Sequence, residues 1–455
     1  MLGIITYSAI VAALFIFIWK RPSIALAGVL CMFGLEQLGQ ASHPFFSQHQ
    51  AFTNVLIGGI LTVAVGIKVL KGERVFEQYP AVGWMVLALF CYALASALWV
   101  RRPELTMEIW EGRGPYVLTF LVLTPLVMSS AQDIEAATKA IILIGTTVAL
   151  FLLIFVSWDA RSIVLEGGHG NPLAVSQMAG MVALVAILGN PWERSKMWQV
   201  ARWAVVAVCL ILVIRAGARG QLLGILIVTM VCWPISRRIQ NPSQVFLLVG
   251  LIGFLAAVTS YGLQEFWAKP SSYYAGGSRW SEQAMHGAMS GRLEQALILV
   301  RHWYGSPETI LFGLGNSASF DPRVLGMYPH FVPLEILAEE GLMGFLAFLL
   351  ILFVTWQNVA HCLRAIRDTP SDRPLIAALA AMFLYALLLA LKQGSLLNNL
   401  ELFMFAILIG KYRAFLSMSN PIDSTRRFRI ARDHNSLPEY PSLRHATWKL
   451  ESFKA

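Results

Sequence analysis

The stretch "FVPLEILAEEGLMGFLAFLLILFVTW", residues 331–356, decides the fold, although its first ten residues carry three glutamates. As an α-helix it would be about 39 Å long, enough to cross the ~30 Å hydrocarbon layer of a bilayer. It shows no period-2 alternation, and in lipid every backbone N–H and C=O must be satisfied within the segment unless a barrel closes. A membrane-spanning helix is the reading that remains.

Working outward, twelve further apolar runs have comparable length: about residues 2–18, 23–38, 52–70, 82–99, 115–129, 138–157, 172–189, 200–214, 217–234, 245–261, 374–391 and 398–413. Hydrophobic residues make up 57% of the chain and charged residues 13%, a balance that excludes a soluble domain of this length. The expected fold class is therefore an all-α polytopic membrane protein with about 12–14 transmembrane helices. The first run ends at Lys20-Arg21 without a basic leader or a small-residue cleavage site, so we expect a retained helix rather than a signal peptide.

The basic residues give an orientation. With the amino terminus outside and spans alternating, the inner loops receive Lys20, Arg21, Lys68, Lys71, Arg74, Arg194, Lys196, Arg237, Arg238, Arg364, Arg367, Arg373, Lys411 and Arg413. The net charge of +9 thus reports topology, and no nucleic-acid partner is expected. The chain divides into N-terminal helices (1–261), a long outer loop (262–330), C-terminal helices (331–416) and a basic tail (417–455) suited to anionic membrane lipids. The loop's aromatics, among them Trp267, Tyr273, Tyr274, Trp280, Trp303 and Tyr304, predict packed structure. The chain's five cysteines show no paired spacing, which favours neither disulfides nor a metal site.

Arginines on the outer side are not explained by topology. "IRAGARGQLLG" places Arg215 and Arg219 beside Gly217 and Gly220 in a tight turn, where backbone and guanidinium groups can hold phosphate, although arginines at helix ends also snorkel. "MSGRLEQ" places Arg292 in what reads as the first turn of a helix capped by Ser290, where a cation gains nothing from the dipole and needs an anionic partner. Arg113 and Arg161 are further candidates, with nearby acids able to pair with them. Pro329 and Pro333 start the eleventh helix near 331–333, leaving His330 just ahead of it, as a proton acceptor or merely as a cap. Glu335 and Glu339 share one face, turned inward, able to orient the histidine or bind sugar hydroxyls, while Glu340 points elsewhere.

The segment "YPHFVPLEILAEEGLMG", with His330, Gly341 and Gly344, resembles the signature of the O-antigen ligase and polymerase superfamily. Three other pieces look similar in the same order: "GHGNPLAVSQMAG" around Asn171, "GARGQLLG" around Arg219 and "SGRLEQ" around Arg292. Together they span about residues 168–345, the earlier helices matching only in hydropathy. The resemblance implies a GT-C-like, metal-independent and cofactor-free glycosyltransferase that faces the periplasm from the bacterial inner membrane. It would transfer an undecaprenyl-diphosphate-linked glycan to an acceptor glycan or to lipid A-core. Arg219 and Arg292 would bind the diphosphate, and His330 would activate or position the acceptor hydroxyl, with Arg215, Asn171, Glu335, Glu339 and Arg161 binding substrate. Phe331 stands where the family carries Asn, Ser or Gln; the pattern with Glu335 and Glu339 is more similar to polysaccharide polymerases than to lipid A-core ligases. A lipid-linked oligosaccharide transporter, and a cell-wall glycan polymerase using Asp321 as base, are the competing expectations.

Overall fold

The computed structural model describes residues 2–76, 79–158, 163–165, 168–189, 195–237, 282–366 and 372–419, together with the single positions 192, 250 and 253. Met1–Phe415 form one compact unit and Leu416–Ala455 a second, of which the end of the last helix is described. The longer helices are α1 (Leu2–Ile18), α2 (Ala25–Ser42), α3 (Phe52–Leu70), α4 (Ala81–Ala95), α5 (Pro103–Val117), α6 (Ala131–Ile154), α7 (Pro172–Leu184), α8 (Lys196–Arg215) and α9 (Arg219–Ser236). After them come α10 (Glu282–Trp303), α11 (Pro307–Phe312), α12 (Val332–Glu339), α13 (Gly341–Ala365), α14 (Arg373–Ala390) and α15 (Leu400–Ser419). The described β structure is a two-residue hairpin, Val164–Leu165 with Gly168–His169, and the bridge Trp158–Ile163 beside it.

Among the described residues, nine helical stretches are long and apolar enough to cross a membrane, so the chain is an all-α, membrane-embedded bundle. Hydropathy predicted thirteen. Run 2–18 is the 17-residue helix α1, and run 398–413 is α15, which carries Glu401, Lys411 and Arg413. Run 115–129 is not one α-helix: Pro115 lies near the end of α5, a π-helical turn follows over Leu118–Leu123, and Thr124–Leu126 closes the run. Proline deletes one ladder hydrogen bond and its ring displaces the preceding turn, which a wider turn accommodates. Run 245–261 lies outside the described residues, as do Arg161, Trp267, Tyr273, Tyr274, Trp280 and the tail beyond 419.

The helices are stacked about three central spans. The stretches Pro22–Ser42, Pro172–Gly189 and Arg373–Ala390 are 78%, 83% and 72% buried over their apolar windows, against 33% for Lys196–Arg215, so the former are enclosed by protein and the latter faces outward. Without a hydrophobic drive between helices in lipid, close backbone approach supplies the adhesion. Tyr385 of α14 lies against Gly180 of α7 and Gly224 of α9; a Cβ on either glycine would meet its ring.

One end of the bundle is held by buried cations. The Lys68 ammonium donates to Glu73 (2.9 Å), Asp133 (2.9 Å) and Ser129 (2.7 Å), joining α3 to the start of α6, and Lys411 donates to the Pro125 carbonyl at 2.6 Å. Both lysines, assigned from sequence to loops, are buried staples with 2% and 0% exposure.

Candidate functional site

The opening stretch is not one continuous helix. α12 stops at Glu339 and α13 starts at Gly341, where φ is +66° and a Cβ would meet the backbone of Leu311 and Gly313. Breaking a helix frees carbonyls that need donors, and buried irregular backbone survives at membrane depth only when protein satisfies it. A loop supplies them: Leu314 N–H donates to Ala338 O and Gly315 N–H to Glu339 O, each at 2.9 Å.

The glutamates complete this arrangement. Glu339 accepts the backbone N–H of Ser317 at 2.6 Å and of Ser319 at 2.9 Å, clamping a 3₁₀ turn (Ala318–Phe320) whose Ser317 has φ +65°. Glu340 accepts the Asn316 side-chain amide at 2.9 Å, and Asn316 in turn accepts the Trp110 indole N–H at 2.9 Å. Glu335 accepts the Leu396 N–H at 3.1 Å, holding the connection between α14 and α15. All three carboxylates are buried, Glu340 included, which the helical wheel had placed on another face. Glu339 and Glu340 thus take donors from one loop, residues 316–319, and Glu335 from another, and Glu335 and Glu339 have no hydrogen bond to His330 among the described contacts.

His330 sits in the left-handed region, φ +59°, one residue before the N-cap Phe331, whose side chain makes no capping bond. The histidine is thus not the helix cap. Its ring packs edge-on against Tyr328 at 4.2 Å between centroids. Burial, and after it the positive charge of Arg292, hold the imidazole below its ordinary value of 6.5, so it is neutral at neutral pH.

Arg292 corrects an expectation. It lies in the middle of α10 rather than in a first turn, because the Ser-Gly cue before it does not end the helix; one interior glycine costs only ~1 kcal/mol. From there it is within Coulombic range of both His330 and Arg219. Arg219 begins α9 after the turn at Gly217 (φ +63°), and no side chain caps the free N–H groups of that helix end. The charge of Arg292 on α10 thus acts on Arg219 at the start of α9 and on His330 in the segment before α12, positions 111 residues apart in sequence.

Two other candidates are engaged elsewhere. Arg215 donates to the Leu153 carbonyl at the end of α6 (2.9 Å) and lies over the Trp158 ring at 5.6 Å. Asn171 caps α7, accepting from Leu173 (3.1 Å) and Ala174 (3.3 Å), while its own N–H donates to Gln37 at 2.8 Å. Arg113, by contrast, sits 5.9 Å from the Tyr116 ring.

Sequence reasoning missed Lys392. Its aliphatic stem lies on Gly220, filling the space of a Cβ, and its ammonium reaches Gln221 at 3.4 Å beside the start of α9. Gln221 and Gln177 meet Gln393 at 3.1 and 3.4 Å, so a glutamine chain ties this cation to α7 and α9. Its only signal, "LKQGS", looks like the ordinary polar end of a span.

No protein-family model matches the chain, and no curated protein sequence matches it.

Proposed function

We propose that the protein is a membrane glycosyltransferase that moves a glycan from undecaprenyl diphosphate to a sugar hydroxyl, polymerising polysaccharide repeats at the periplasmic face of a bacterial inner membrane. The observation that carries this reading is the convergence of Arg219, Arg292 and neutral His330 at one end of a membrane-embedded bundle. It agrees with the resemblance to the O-antigen ligase and polymerase superfamily and with a GT-C-like arrangement of spans around an outer loop. The positive-inside distribution supports the periplasmic assignment of that end.

In the reaction, the acceptor hydroxyl oxygen attacks the anomeric carbon of the donor sugar and the bond from that carbon to the diphosphate oxygen breaks. Negative charge grows on the leaving diphosphate, where preorganised guanidinium groups lower the barrier. The hydroxyl proton passes to the unprotonated nitrogen of His330, for which a depressed pKa is the suitable state. Arg219 and Arg292 hold the diphosphate; Lys392 adds a third charge beside them. The glutamates serve this chemistry indirectly, by fixing the loops around it.

The test is turnover by purified protein with undecaprenyl-diphosphate-linked repeats. Longer lipid-linked chains are expected from the native protein and single repeats from His330→Ala, Arg219→Ala and Arg292→Ala at normal folded levels. Transfer only to lipid A-core would make the protein a ligase, and lipid-linked material moved without a new glycosidic bond would make it a transporter.

A further inference from the structure

Beside the cation cluster lies a separate cavity of about 690 Å³, walled by the α4–α5 connection, the C-terminal end of α10, α11 and the loop that follows. That volume is within the range of small-ligand sites. Its lining is largely apolar, with Trp99 and Phe312 as aromatic walls, ring centroids 6.5 Å apart. The charged groups on it are three arginines (101, 102 and 301) and His302, against Glu308 and Asp321. Arg102 pairs with Glu104 at 2.9 Å, whereas Arg101 and Arg301 have no carboxylate partner among the described residues. Asp321 is 4% exposed; its Oδ1 accepts the Arg323 N–H at 2.9 Å, and Oδ2 accepts no hydrogen bond among the described residues. An aromatic wall, guanidinium groups without a carboxylate partner among the described residues and a carboxylate with one oxygen open to accept are complementary to a sugar ring that bears both an acidic substituent and hydroxyls.

We infer that this cavity binds an acidic saccharide and is the subsite for the acceptor glycan. The acceptor role rests on the glycosyl transfer proposed above. The two sites share α10: Arg292 belongs to the cation cluster and Arg301, nine residues or about two and a half turns on, to the cavity, about 14 Å along the helix axis and on its opposite face. They also share a strand of chain, since the segment from Asp321 leads directly to His330. On this assignment the acceptor glycan runs from the cavity along the 321–330 segment to the histidine. The saccharide's carboxylate meets Arg101 and Arg301, its ring lies on Trp99, and its hydroxyls donate to Asp321.

Calorimetric titration of the full-length chain in nanodiscs with trigalacturonate, and with maltotriose as the neutral control, tests this. Saturable binding of trigalacturonate alone is expected, weakened about tenfold or more by Arg301→Gln or Arg101→Gln and less by Arg301→Lys, which keeps the charge. Arg219→Ala should leave it unchanged, and undecaprenyl diphosphate should not displace it. Equal binding of maltotriose, no effect of Arg301→Gln, or displacement by undecaprenyl diphosphate would overturn the assignment, the last by placing the anion on the donor cluster. Because binding needs no turnover, a chain that binds trigalacturonate but transfers no glycan refutes the catalytic reading alone, and one that transfers glycan without binding it refutes the cavity alone.

Discussion

At the scale of single residues, the central feature is a partly buried histidine beside Arg292. A cation close by destabilises the imidazolium, and so does burial; both act in the direction a proton acceptor requires. Activity should therefore be flat above pH 6.5 and fall only at lower pH, once the imidazole protonates. Removing the Arg292 charge raises that midpoint, so Arg292→Gln should shift the acid limb of the pH profile upward as well as lowering the rate. His330→Ala should reduce turnover by roughly 10²–10⁴-fold. An acid limb that stays in place in the Arg292→Gln variant would separate the arginine from the histidine.

At the scale of elements, the broken helix is what gives the site its shape. α12 and α13 were read from sequence as one span because composition and length are indifferent to a single glycine with positive φ. The signal was present in Gly341 and Gly344, but which glycine turns the chain depends on Gly313 and Leu311, far away in sequence. Gly341→Ala should cost about 1–3 kcal/mol through backbone strain, with more from the steric conflict with Leu311 and Gly313, read as a lower detergent-solubilised melting temperature. Glu339→Gln replaces one acceptor oxygen with a donor facing a backbone N–H and should cost about 1–3 kcal/mol. The inward direction of Glu335 and Glu339 was legible from their expense in lipid, whereas that of Glu340 was not. Their partners were not, because they come from loops whose placement no local pattern encodes. Arg292 shows the opposite limit: its type was informative, while a plausible Ser-Gly start misplaced it within its helix.

At the scale of the whole molecule, hydropathy was sufficient for the class of fold, since the nine apolar spans need only length and composition. It was insufficient at Pro115, where a span becomes π-helical, and at Lys68 and Lys411, which hold helices together inside the protein. The orientation rests on charge and is testable: Arg101→Cys should react with a membrane-impermeant thiol reagent in intact spheroplasts, and Lys20→Cys only after the membrane is opened. The most direct measurement for the account is the formation of glycosidic bonds by the purified chain from undecaprenyl-diphosphate-linked repeats, with His330→Ala in parallel. The account predicts lengthened lipid-linked chains and released undecaprenyl diphosphate from the native protein and neither from the variant. Equal product from both would contradict it.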